Sequence, residues 1–297
     1  MMVPYWLIIV SAGHILNACA FIIDKYLLTQ SIPKPRLYSF YIGMLGALAL
    51  VLIPFGVHML PFGLLLISLV SGALFVLALY AFFVALKQGE ASRIPVIVGS
   101  LSPVLIFLLS RQYLHELLNT KQIVALVLII GGGLLISFTK GKGWKLKGFG
   151  MSLLAALLFS ASYTTAKYVF NGTDFLSGFV WMRVGGVLMA LTYYMFASTR
   201  LALAHPSESK KKGTPLIFLM GQILGALGFV LINYSLSLTS PTLVNALQSL
   251  QYAFLFCVTI FLSLVYPRIL KEKITLPIFL QKTIALGIIG VGIIVLT

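Results

Sequence analysis

YAFFVALKQGEASRIPVIVGSLSPVLIFLLSRQYLHELLNTKQIVALVLIIGGGLLIS, residues 80–137, is the end of one apolar run followed by two more, each long enough to cross a bilayer. The joins are short: 87–93, and a polar turn at 111–121. A spanning helix needs roughly 20 apolar residues. With no water in the bilayer core, a helix is the one single segment that satisfies its own backbone. The segment therefore reads as helix, tight turn, helix, tight turn, helix.

Residues 234–297 repeat the pattern. The join Ala85-Leu-Lys-Gln-Gly-Glu-Ala-Ser92 is matched by Ser235-Leu-Ser-Leu-Thr-Ser-Pro-Thr242, and Glu116-Leu-Leu-Asn-Thr120 by Glu272-Lys-Ile-Thr275, after an insertion near Pro267. Both copies close on a Gly-rich run, with Gly131, Gly132 and Gly133 in one and Gly287, Gly290 and Gly292 in the other. Working outward, Phe21-Ile-Ile-Asp-Lys-Tyr26 pairs with Tyr163-Thr-Thr-Ala-Lys-Tyr168. The repeat spans the chain, as 1–139 and 140–297.

Composition agrees. The chain is 60% hydrophobic and 9% charged, with mean hydropathy +1.06; soluble domains carry about 25% charged residues. Ten apolar runs are expected, near 3–23, 37–57, 63–86, 94–114, 122–138, 148–170, 175–198, 215–238, 242–266 and 277–297. The fold class is an all-α integral membrane protein, with ten transmembrane helices as two inverted five-helix repeats. An odd number of spans per copy turns the second upside down. Such repeats build transporters whose site lies near the midplane.

The net charge is +15, which in a soluble protein would suggest nucleic acid. Here the basic residues sit in loops facing lipid headgroups, and no nucleic-acid partner is expected. Seventeen of the 21 Lys and Arg fall in odd-numbered loops and three in even loops or termini. The positive-inside rule then places odd loops in the cytoplasm and both termini outside a cell (inner or plasma) membrane.

On these features the chain resembles the EamA-type transporters of the drug/metabolite transporter superfamily over essentially its full length. The features are the five-plus-five repeat, ALKQGEAS followed by Ser102-Pro103, the Glu116 and Glu272 turns, Arg183, and the lysines ending the first and sixth runs. The resemblance implies export or exchange of small organic solutes such as amino acids, other metabolites or drugs. The chain departs from the family twice. Where the family often carries a tryptophan in its first helix, this chain has His14 to Asn17. Family members usually keep both termini in the cytoplasm, opposite to the charge count.

The candidate solute-binding residues are the polar groups within apolar runs, since amides against lipid are costly. In the ninth run Asn245, Gln248, Gln251 and Tyr252 fall on one broad helical face, either a cavity wall or interhelical glue. The fourth run offers Gly99 and Ser102, with Pro103, as an opposing wall or a close packing surface. His14, Asn17 and Phe21 follow one another down the first run. His14 is either a proton carrier or a neutral packing residue. Tyr80, Tyr163, Gln222 and Asn233 come from the third, sixth and eighth runs. Arg183, inside the seventh, either snorkels to the interface or binds an anionic solute group.

No carboxylate is expected at mid-membrane, and no catalytic residues, metal ligands or cofactor are expected. The reading is a secondary transporter working by alternating access, with a flippase for a lipid-linked substrate, or a membrane enzyme or scaffold, as alternatives. Partners are a small-molecule solute and the lipid bilayer. Coupling to a proton or counter-solute, and monomer against homodimer, stay open.

Overall fold

Apolar runs of this length leave a chain in lipid no option but helix. The computed structural model describes residues 4–30, 34–88, 94–137, 148–204, 214–265 and 276–296, and among these it is all-helical. In the first half lie α1 (Tyr5–Gln30), α2 (Pro35–Leu45) with a 3-10 continuation (Gly46–Phe55), α3 (Phe62–Gln88), α4 (Ile94–Tyr113) and α5 (Thr120–Ser137). The second half holds α6 (Phe149–Gly172), α7 (Phe175–Tyr194), α8 (Ala197–Ala204), α9 (Thr214–Leu238), α10 (Pro241–Ala246), α11 (Ser249–Val265) and α12 (Leu276–Leu296).

Among the described residues, seven spans are long and apolar enough to cross a membrane, and 97–113 and 120–135 are shorter apolar helices. The all-helical membrane class is met, but the described helices do not reproduce the expected ten runs one for one. The second run tightens into 3-10 helix before Pro54 and stops at Gly56, whose φ of 107° suits glycine. The seventh ends at Tyr194, and 197–204 forms its own short helix. The ninth is interrupted between Ala246 and Ser249.

Lipid-type side chains cover the outside: Ile8, Val51, Leu108, Val127, Ile223 and Ile294 are all exposed. The inside is built from helix pairs. The most extensive packing joins α1 to α9, α3 to α6, α5 to α12 and α3 to α7, and α2 lies along α7. Every one of these pairs joins a helix before residue 139 to one after it.

Small residues set the crossings, as expected between membrane helices. A Cβ at Gly13 would lie 3.0 Å from the Gly228 carbonyl, and one at Gly228 would lie 2.8 Å from that of Gly13. At the α5–α12 crossing, Gly132 faces Ile289, and Gly292 faces Ile129. Where α3 meets α7, Gly72 touches the Met182 carbonyl and Gly185 the Leu69 backbone, leaving no room for a side chain at either.

Candidate functional site: an enclosed arginine

Beside the α3–α7 crossing, α3, α6, α7 and α9 enclose a small cavity. Its free volume, about 10 Å³, is the room of roughly one water. Three of the residues singled out from sequence, Tyr163, Arg183 and Asn233, line it. So do Ser71, Ser162 and three phenylalanines that sequence reasoning did not select.

Each wall is fixed by its own local chemistry. Ser71 Oγ donates to the Ser162 carbonyl at 2.9 Å, and Ser162 Oγ donates to the Ser71 carbonyl at 2.9 Å. This reciprocal pair clamps α3 to α6. Asn233 Nδ2 donates to the Phe229 carbonyl one turn back, at 2.9 Å. Tyr163 stacks on Phe159 and lies within electrostatic reach of Arg183.

Arg183 sits near the middle of the 20-residue α7. Its half-buried side chain lies among aromatic rings. Cζ lies 3.9 Å from the ring centre of Phe229, 5.1 Å from Phe75 and 5.6 Å from Phe179. Its Nε is buried with no hydrogen-bond partner. Among the described residues no carboxylate comes within ion-pair distance of it, and the one ion pair is His58–Asp174 at 3.3 Å. The three described carboxylates are engaged elsewhere. Asp24 accepts from Tyr38, Asp174 from Ser177, and Glu116 from Ser240 and Thr242. Glu90, Glu208 and Glu272 lie outside the described residues.

The remaining sequence candidates form three other groups. Gly99, Gln248 and Tyr252 do meet, but in direct contact. The Tyr252 hydroxyl abuts Gly99 and donates to the Pro95 carbonyl. The α4 and α10–α11 faces are therefore packed together here, with no space left between them at this level. Ser102 is buried on α4, and its carbonyl accepts from Ser160 Oγ at 3.2 Å. The second group surrounds Tyr38, which is held by Asp24 and Gln222 and packed beside Phe83, while Phe21 lies on Phe82. Tyr80 stands apart, between Arg36 and Tyr193.

The third group centres on the interruption in the ninth run. An α-helix would bond Gln248 N–H to the Val244 carbonyl, four residues back. Here it bonds to Asn245 O at 3.1 Å, and Leu250 and Gln251 make the same three-residue bonds at 2.9 Å. The Val244 carbonyl is released, and His14 Nε2 lies 3.0 Å from it. A carbonyl only accepts, so Nε2 carries the hydrogen and neutral His14 presents Nδ1 as an acceptor. Nδ1 is buried and unpartnered. Asn245 Nδ2 turns back to the Pro241 carbonyl at 3.0 Å, Gln251 is buried beside it, and Asn17 packs against Gly228.

One end of the molecule is tied across its halves. Ser240 caps α10, its oxygen accepting from Leu243 N–H at 3.1 Å while its hydroxyl donates to Glu116. Thr242 donates to the other Glu116 oxygen at 2.8 Å. Lys167 donates to the Leu236 and Ser237 carbonyls at the end of α9, at 3.1 and 3.2 Å, where the helix dipole favours a cation. Glu116 is aimed by its turn: His115 takes φ 52°, and Glu116 N–H reaches back to Ser110 O at 3.1 Å.

Residues 4–138 match the model of the EamA-like transporter family. A crystal structure of a protein matches the chain with TM-score 0.69, covering 98% of this chain and 95% of its own, at 17% identity, which is a likeness of fold. No curated protein matches the chain. Residues 4–138 are thus similar to the EamA-like transporter family, which is part of the drug/metabolite transporter superfamily.

Proposed function

We propose that this protein is a secondary transporter that moves a small organic solute by alternating access between two inverted five-helix halves, 1–139 and 140–297. The observation that carries the reading is the cavity walled by α3 from one half and α6, α7 and α9 from the other. The helix pairing supports it. Exchanging the halves turns the α1–α9 pair into α6–α3 and returns α5–α12 and α2–α7 to themselves. This is what a pseudo-two-fold axis in the membrane plane requires. The tie among Glu116, Ser240, Thr242 and Lys167 closes one end, and its counterparts by the repeat are Glu272, the 90–92 join and Lys25. Breaking one tie while making the other would expose the cavity to each side in turn. Proton coupling through His14 would require Nδ1 to gain a proton, and flux measured with and without a pH gradient tests that step.

The experiment compares cells producing the protein with cells carrying the empty vector, profiling metabolites in medium and extract. The expected result is a solute class whose partition changes only when the protein is present. If soluble metabolites stay where they are and the lipid composition shifts, a flippase replaces this reading.

A further inference from the structure

A guanidinium stays protonated under any physiological condition and carries five N–H donors around the edge of a plane. Enclosing one among helices without a counter-charge is costly, and intramembrane charges are otherwise paired or face a cavity. Arg183 has no such pair among the described residues. What surrounds it is aromatic. The rings of Phe229, Phe75 and Phe179 lie 3.9, 5.1 and 5.6 Å from Cζ. Ring faces attract a cation but offer its edge N–H groups no hydrogen-bond acceptor of the carboxylate kind. The buried Nε records the deficit directly. The missing group is one that lies in the guanidinium plane and accepts two N–H bonds side by side, as a carboxylate or phosphate oxyanion does.

We propose that Arg183 is the anchor for the oxyanion of a small organic solute, with Phe75, Phe179, Phe229 and Tyr163 packing on a flat or apolar remainder. The proposal rests on the transporter reading and names its substrate class. The contact of Gly72 with the Met182 carbonyl closes the site to anything larger than about one water. Loading therefore requires α3 and α7 to part, and the crossing doubles as the lid of the site.

The test uses the full chain purified in detergent, with thermal unfolding followed in phenylacetate, succinate and phenyl phosphate. Phenylacetamide and phenethylamine serve as neutral and cationic counterparts. The expected result is stabilisation by at least one oxyanion and by neither counterpart. The apparent affinity should fall about 10- to 100-fold in Arg183→Gln. It should be unchanged in Arg36→Gln, which removes another arginine lying against aromatic rings, Phe196 and Tyr80. Should the Gln variant not fold, Arg183→Lys is expected to keep the anion preference at about tenfold lower affinity, for want of the planar fork.

Equal response of the wild type to phenylacetate and phenylacetamide overturns the proposal without any variant. So does silence towards all three oxyanions, or a stabilisation that survives in Arg183→Gln. Nanodiscs of phosphatidylglycerol against phosphatidylcholine form a separate arm. Arg183-dependent stabilisation by the anionic lipid alone would assign the site to a headgroup and overturn the solute. Proteoliposome flux separates this proposal from the one beneath it. Oxyanion binding without flux leaves the anion site standing and sinks the transporter. Flux of phenethylamine through wild type and Arg183→Gln alike keeps the transporter and sinks the anion site.

Discussion

Helix α4 and the α10–α11 segment, paired in the proposed repeat, bend the rules in opposite ways. α4 carries Pro103 in its interior and runs unbroken from Ile94 to Tyr113. The segment from Pro241 to Val265 has its proline only at the first turn, where proline is tolerated, and it is interrupted in the middle. A proline removes one donor and leaves one carbonyl without its usual partner. The interruption at Leu247–Gln248 frees a carbonyl too, that of Val244, but His14 crosses from α1 to fill it. The lesson is that in lipid a helix breaks where a neighbour can supply the missing hydrogen bond, and local propensity is secondary.

The largest test of that contrast is His14→Leu. It strands the Val244 carbonyl in a dry interior and should destabilise the protein by about 1–3 kcal/mol. His14→Gln, which can still donate, should recover part. Unfolding titrations in mixed micelles read both. A neutral His14→Leu would mean that the interruption is held by something else. Next, Tyr252→Phe removes the bond to the Pro95 carbonyl that fastens α11 to α4. It should cost about 1 kcal/mol by the same titration. Pro103→Ala should act in the other direction, raising stability by about 0.5–1 kcal/mol through the regained backbone bond. If it instead destabilises as much as His14→Leu, then α4 depends on its proline and the contrast collapses.

The smallest effect lies outside the spans, where Asp174 caps α7 by accepting from Ser177 N–H at 2.9 Å. Burial pushes this carboxyl up, but the Ser177 backbone and hydroxyl, His58 and Thr173 outweigh it and hold it below the usual carboxylate range. A depressed carboxyl stabilises the fold above its unfolded value near 3.8 and loses that contribution as pH falls through the folded one. Acid titration of wild type against Asp174→Ala should show a difference of less than about 1 kcal/mol, vanishing at low pH.

The runs within 80–137 were legible because lipid imposes length and apolarity together, while the second, seventh and ninth runs stopped or broke where apolarity alone gave no sign. The interruption at 247–248 was not legible, since nothing in Leu247-Gln248 resembles a breaker. His14, which takes up the freed Val244 carbonyl, lies 230 positions before it. The same holds for the cavity. Tyr163, Arg183 and Asn233 stood out as polar groups in apolar runs. Phe75, Phe179 and Phe229 did not, because helices apolar on all sides give no face to read. Ser71, a hydroxyl deep in the third run, was the available signal on α3. The amides of the ninth run part at the interruption: Gln248 lies against Gly99, while Asn245 turns back to the Pro241 carbonyl. Their neighbour Tyr252 then met Gly99 directly, a matter of helix approach that spacing does not encode.

The α5–α12 crossing, with Gly132 and Gly292 each seated against the other helix, bears on how the protein is made. α5 is complete at Ser137, and α12 begins only at Leu276. During synthesis α5 enters the membrane with its glycine groove open, and it stays so until nearly all of the second half has emerged. The first five helices are therefore not a finished unit when the ribosome leaves them. They wait, exposed to the wrong partners, for the helix that completes them.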